Sequence, residues 1–148
     1  AFNSGYAIQL CEQITAYLVT QLDSVAAVKS VTREPKSLEE LSTRAMPHVL
    51  IETANETREN VSFGGEVRKV ANLEVLLNIV VYGNNRDQQR NTVIEAIEAQ
   101  LDLDSTLGGL AYDSETVEII IREIAEASPH GQAAMIINVK YYYTKGTP

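Results

Sequence analysis

The chain has 148 residues, 12 basic and 20 acidic side chains, a formal net charge of −8, and 45% hydrophobic against 22% charged residues. That length suits one domain with a single sizeable core, and the composition excludes an intrinsically disordered chain. The acidic balance, with no basic cluster longer than a pair such as Arg68-Lys69, excludes a surface that grips nucleic acid by displacing counterions.

The opening residues Ala1-Phe2-Asn3 carry no secretory signal pattern. Ser4 is a plausible N-cap for a first helix, on which Ala7, Leu10, Cys11, Ile14, Leu18 and Leu22 recur at spacings of three and four and draw one apolar stripe. Cys11 is the sole cysteine and has no internal disulfide partner, which points to a reducing compartment. Its place on the stripe makes it a small buried hydrophobe before it makes it a nucleophile. Asp23-Ser24 breaks the pattern, and Val28 to Arg33 reads as a short strand closed by Pro35. Ser37 and Glu40 have the spacing of a capping box for a brief helical segment.

His48 to Thr53 resumes a strand pattern after Pro47, and Ser62-Phe63-Gly64-Gly65 is a turn signal. The next strand, Glu66 to Tyr82, is the centre of the chain. Val75, Leu77, Ile79 and Val81 line one face, while Glu74, Leu76, Asn78, Val80 and Tyr82 form a mixed second face. Two strands joined by a glycine turn make an antiparallel hairpin. Its outer part, residues 54–70, is too polar for a core and reads as a projecting arm. Asn85 and Gln88 again suggest a capping box, opening a helix with Val93, Ile94, Ile97 and Leu101 on one side and Arg90, Glu95 and Glu98 on the other. Leu107-Gly108-Gly109-Leu110 is a tight turn. Thr116 to Ala125 and Ala133 to Thr144 are two further strands, joined by a hairpin loop at Ser128-Pro129-His130-Gly131. Residues 145–148 form a flexible tail.

The fold class that results is α+β: a mainly antiparallel sheet of about five strands, two helices packed on one face, and the hairpin arm, all within residues 1–148 as one domain. Apolar runs such as Ile119 to Ile121 are too short to span a bilayer, so a soluble protein of the cell interior is expected.

Little in the sequence promises catalysis. Asp102-Leu103-Asp104-Ser105-Thr106 matches the D-x-D-x-T pattern of aspartate-nucleophile phosphatases, but it follows an amphipathic helix where that chemistry needs the end of a buried strand. The same aspartates lack the remaining ligands of an EF-hand loop. His48 and His130 have no second His or Cys at a metal-ligand spacing and read as surface or loop residues. Neither glycine pair continues into a phosphate loop. No catalytic residue, metal ligand or cofactor is expected, and the chain is not read as an enzyme. Isoleucines 119, 120, 121 and 124 instead put apolar side chains on both faces of one strand, and Leu76, Val80 and Tyr82 do so for the central strand. Helices on one side cannot cover both faces, which favours association, and Tyr141, Tyr142 and Tyr143 add interface-type aromatic area.

Taken together, the amphipathic first helix leading into VKSVTREP, the Pro-led strand PHVLIE, the long strand LEVLLNIVVYG, the helix from Arg86 to Leu101, the turn DSTLGGLAYD and the closing strand INVKYYYT resemble the tail terminator (tail-completion) proteins of tailed bacteriophages. The likeness spans nearly the whole chain as an order of elements. It implies a homo-hexameric ring in the tail or neck of a virion, made in the host bacterial cytoplasm. Such a ring caps the tail tube, stops its polymerisation and offers a docking surface to the head–tail connector. Its implied partners are further copies of itself, the tail tube protein, the connector or neck protein, and a sheath protein where the tail is contractile. DNA only passes through the lumen, and there is no membrane partner. The acidic surface agrees with a lumen that repels phosphates. The residues assigned to subunit or tube contacts are Arg58, Phe63, Arg68, Lys69, Leu76, Val80, Tyr82 and Tyr142. Another neck or connector adaptor of the virion, or a small cytosolic ligand-binding α+β domain, are the alternatives.

Overall fold

The structure, a computed structural model, describes residues 7–33, 44, 46–61, 68–123 and 130–144. The sequence expectations that rest on Ser4, Ser37, Phe63, Ile124 and the tail at 145–148 lie outside the described residues. The elements are α1 (Ala7–Asp23), β1 (Ser30–Thr32), β2 (His48–Asn60), β3 (Arg68–Tyr82), α2 (Arg86–Leu103), β4 (Asp113–Glu123) and β5 (His130–Thr144).

The strands form one sheet in the order β1-β2-β3-β5-β4. The expected α+β architecture is present, and β3 is its central strand, paired antiparallel with β2 on one side from Lys69 to Val80 and with β5 on the other from Arg68 to Tyr82. One pair departs from the antiparallel pattern. β1 runs parallel to β2, with Val31 opposite Val49, a pairing that a two-residue hairpin cannot connect. The hairpin of β2 and β3 closes with the Val61 amide donating to the Arg68 carbonyl at 2.8 Å. Its described end is three strands wide, since β5 runs on from Tyr141 to Thr144 beside Ala71 to Arg68, and it extends past β4, whose pairing with β5 begins at Lys140.

Period-two alternation puts Ala71, Leu73, Val75, Leu77, Ile79 and Val81 of β3 on the helix-bearing face, all buried. Ala133, Met135, Ile137, Val139 and Tyr141 of β5 lie beside them. Ile14, Leu18 and Leu22 of α1 and Val93, Ile94, Ile97 and Leu101 of α2 close over this row as one core. Each fully buried aliphatic side chain contributes about 1.5–3 kcal/mol of transfer free energy.

Four local expectations are corrected. Asn85 makes no side-chain capping bond to α2. Gln89 takes over, its Nε2 donating to the Tyr82 carbonyl at 2.8 Å and to Asn85 Oδ1 at 2.6 Å, which ties the helix start to the end of β3. Arg90 is buried and not on the solvent side. Its guanidinium donates to Asp87 at 3.0 Å and to the Arg122 carbonyl at 3.3 Å, so the charge is neutralised one helical turn away while the stem packs. His48 is also buried, with its two ring nitrogens at 2.6 Å and 3.1 Å from the hydroxyls of Ser30 and Thr32, and His130 is the first residue of β5 and not a loop residue.

Asp102 and Asp104 fall at the end of α2 as expected from their helical context. Asp104 organises the following turn: Oδ1 accepts from the Gly108 amide at 3.1 Å, and the other oxygen accepts from Tyr17 of α1. Those bonds hold the Asp104 carboxyl below its usual range, the Tyr17 bond foremost, and push the Tyr17 phenol up. The turn needs glycine at 108, where φ is +69° and a Cβ would stand 2.8 Å from Tyr17 Cε2.

Candidate functional site

Two β-bulges decide which side chains the sheet presents. In β2 the register shifts between Thr53 and Asn55, so the parity of the strand reverses. Ile51 faces the helices before the bulge, and Glu56 and Arg58 do so after it, opposite Leu73 and Ala71. Glu56 accepts from Tyr141 Oη at 2.5 Å and pairs with Arg58 at 2.5 Å, so a carboxylate at the rim of the core is met from both sides. Burial, and then this bond, pushes the Tyr141 phenol far above its ordinary value. Beside them opens a recess of about 450 Å³ lined by Cys11, Thr53, Glu56, Arg58 and Leu73. Burial raises the Cys11 thiol, with Glu56 and Glu12 adding to it and so disfavouring the thiolate. The two charged groups of the recess, Glu56 and Arg58, are engaged with each other.

In β4 the shift falls between Thr116 and Glu118. Ser114 and Thr116 face the helices before it, and Ile119 and Ile121 after it, opposite the buried Met135 and Ala133. Without the bulge, Glu118 and Ile120 would take those places. α1 and α2 do not extend over the outer half of this edge strand, so Val117, Ile119 and Ile121 remain 55%, 39% and 48% exposed. Among the described residues β4 pairs only with β5, leaving its other backbone edge open. Glu115 and Glu118 are exposed on the opposite face of the same strand. An aliphatic row on an open, acidic edge strand is the most exposed apolar feature of the sheet.

The residues assigned from sequence to subunit contacts are divided between the two faces. Arg68, Leu76, Val80, Tyr82 and Tyr142 share the face without helices. There Arg68 lies over the Tyr142 ring at 5.4 Å, and Tyr142 meets Tyr112 edge-on at 5.3 Å. Lys140 stands 5.8 Å from the Tyr112 ring and 5.9 Å from that of Tyr142, completing a cationic–aromatic cluster. Tyr82 is exposed and edge-on to His130 at 5.1 Å. Leu76 is half-buried beside Ile136, and Val80 is buried between His48 and Gln132. Arg58 and Lys69 are on the helix-bearing face, Arg58 over the Tyr143 ring at 5.8 Å. Phe63 lies outside the described residues.

Sequence reasoning singled out the isoleucines of β4 but not Val117, nor which of them would stay exposed. The signal was present in TVEIIIRE, which breaks strict alternation. A broken period of two is the trace of a bulge. Among the described residues, no cluster of three His, Cys, Asp or Glu side chains is placed to hold a metal ion, and no helix is long and apolar enough to cross a membrane.

No protein-family model matches the chain, and no curated protein does. Among solved structures it is similar to a chain from the virion of a native gene transfer agent particle, with 9% identity, a TM-score of 0.46, and coverage of 91% of this chain and 97% of that one.

Proposed function

We propose that this protein is a structural subunit of a phage-like particle, forming a ring that caps the tail tube, ends its polymerisation and receives the head or neck connector. The observation that carries the assembly part is the exposed row Val117, Ile119 and Ile121 on the open edge of the sheet. A surface of this kind is a liability in a lone chain and an asset in a subunit whose neighbour covers it. The tail-terminator part rests on the order of elements read from the sequence. The net charge of −8 suits a ring whose lumen DNA must traverse without adhering.

The test is positional and functional together. Immunogold or cryo-electron imaging of particles carrying a tagged copy is expected to place the label at the junction of tail and head. Particles assembled without the protein are expected to carry tubes of uncontrolled length. Label elsewhere in the particle, with tube length unchanged by the protein's removal, overturns the tail-terminator reading.

A further inference from the structure

We infer that the open edge of β4 pairs antiparallel with β4 of a second copy of this chain, about a two-fold axis at Ile119. A two-fold contact closes at two copies, so the inference goes beyond the proposed ring and concerns the chain off the particle.

The bulge makes β4 complementary to itself. Along β5, Ile119 lies opposite Met135, Glu115 opposite Asn138 and Arg122 opposite Gln132. Glu115 and Arg122 therefore stand at equal distances on either side of Ile119, and both point to the face without helices. In a strand without the bulge they would fall on opposite faces. An antiparallel copy turned about Ile119 sets Glu115 of each chain directly against Arg122 of the other. Both side chains are exposed, and neither is ion-paired to another described residue. Arg122 also lies diagonal to Glu118 of the second copy, which offsets the like charge between the two Glu118 side chains.

The apolar row follows the same symmetry. On the helix-bearing face Ile119 meets its own copy, and Ile121 meets Thr116 with Val117 beside it in the bulge. The three exposed aliphatics thus continue across the axis as one cluster, and their burial supplies the attraction. Other pairings lose this match. Centred on Glu118, the pair sets that carboxylate against itself. Centred on Ile120, it carries the partner of Glu115 past the end of β4 at Glu123. At the far side of the sheet, β1 offers only 3 residues, and β2 beyond Leu50 carries Glu52, Glu56 and Glu59 against Arg58, a poor match for an acidic strand.

Charge exchange within one strand tests this. Sedimentation equilibrium of the purified full chain is expected to show monomer and dimer. Arg122→Glu and Glu115→Arg are each expected to weaken the dimer on the order of tenfold, since each turns two attractive pairs into repulsive ones. The two together in one chain are expected to restore it. Ile119→Lys sets two ammonium groups face to face at the axis and is expected to abolish it. Circular dichroism checks that each variant is folded. Independently, Ile119→Cys in a Cys11→Ala chain is expected to give a covalent dimer with a short bismaleimide, whereas Leu103→Cys in the same background, at a residue 83% exposed on the end of α2, is not.

A chain that stays monomeric at its highest soluble concentration overturns the inference. So does a double charge variant no better than its parents, association unaffected by Ile119→Lys, or cross-linking at position 119 no stronger than at position 103. The outcome is separable from the tail reading. A charge-dependent dimer in a protein that leaves tube length unchanged keeps the contact and removes the terminator role. Tube capping by a chain whose association is indifferent to these charges does the reverse.

Discussion

Replacing Leu77 by aspartate tests the assignment of faces at the centre of the sheet. Leu77 is fully buried on β3, opposite Ile51 of β2 and Met135 of β5, both also in the core. Truncation to alanine removes the side chain beyond Cβ and leaves a cavity between strands that have little room to close, at a cost of about 2–5 kcal/mol. Aspartate adds an unpaired charge to the same loss. The described residues opposite it on both neighbouring strands are aliphatic or thioether side chains, so the carboxylate finds no donor and either stays charged or folds only protonated. Either way the penalty is several kcal/mol, a large part of the 5–15 kcal/mol that holds a domain of this size together. Leu76 is the internal control. It is one residue away, on the other face, half-buried, opposite Glu52 and Ile136. Urea denaturation of Leu77→Ala and Leu76→Ala, with soluble yield of the two aspartate variants, is the assay. Leu77→Ala is expected to lose clearly more stability than Leu76→Ala, and Leu77→Asp to fail to accumulate as folded protein. A soluble Leu77→Asp protein with an unchanged melting transition refutes the assignment of faces.

Two further predictions concern the polar details. Gly108→Ala is expected to cost roughly 1–2 kcal/mol from the left-handed backbone, with a further loss as the Cβ crowds Tyr17 at 2.8 Å, whereas Gly109→Ala, with φ +90° and nothing within 4 Å of its Cβ, bears the backbone cost alone; thermal melts of the pair separate the two contributions. The Tyr141 phenol, held above its ordinary value of 10.0 by burial and then by Glu56, binds its proton more tightly folded than unfolded. Its contribution is therefore fully present below that ordinary value and is lost as pH rises above it. Urea midpoints measured upward from neutral pH are expected to fall more steeply for the natural chain than for Tyr141→Phe, and identical slopes would remove Tyr141 from the alkaline transition.

The regular parts of the fold were legible because each buries one row at a fixed period. The stripe of Ile14, Leu18 and Leu22, the odd positions of β3 and the row Ala133 to Val139 all face the core as their spacing predicts. What the period could not show was where the chain departs from it. The bulges in β2 and β4 each insert one residue and reverse parity, and only the partner strand's register shows where that happens. The parallel pairing of β1 depends on the path of the chain between two strands, to which periodicity is blind. Arg90 and His48 were misplaced for a different reason. A charged or polar side chain is assigned to solvent by default, and its burial depends on partners such as Asp87 or Ser30 that only the folded geometry supplies. For the candidate contact surface, the apolar residues of β4 were visible in sequence, while their exposure depends on how far α1 and α2 extend across the sheet.

The central position of β3 also governs the order in which the molecule can be built. Its ladder with β2 closes across a short hairpin, but its ladder with β5 joins Arg68 to Thr144 and Tyr82 to His130, enclosing α2 and β4 between them. Contacts of such long sequence separation form late. During synthesis β3 therefore has one neighbour and one bare edge until β5 has left the ribosome, although it carries the most buried row of the domain. A strand that is safest in the finished sheet is for that interval its most aggregation-prone segment. Slower release of β5 would thus prolong the exposure of β3 without altering any contact in the native fold.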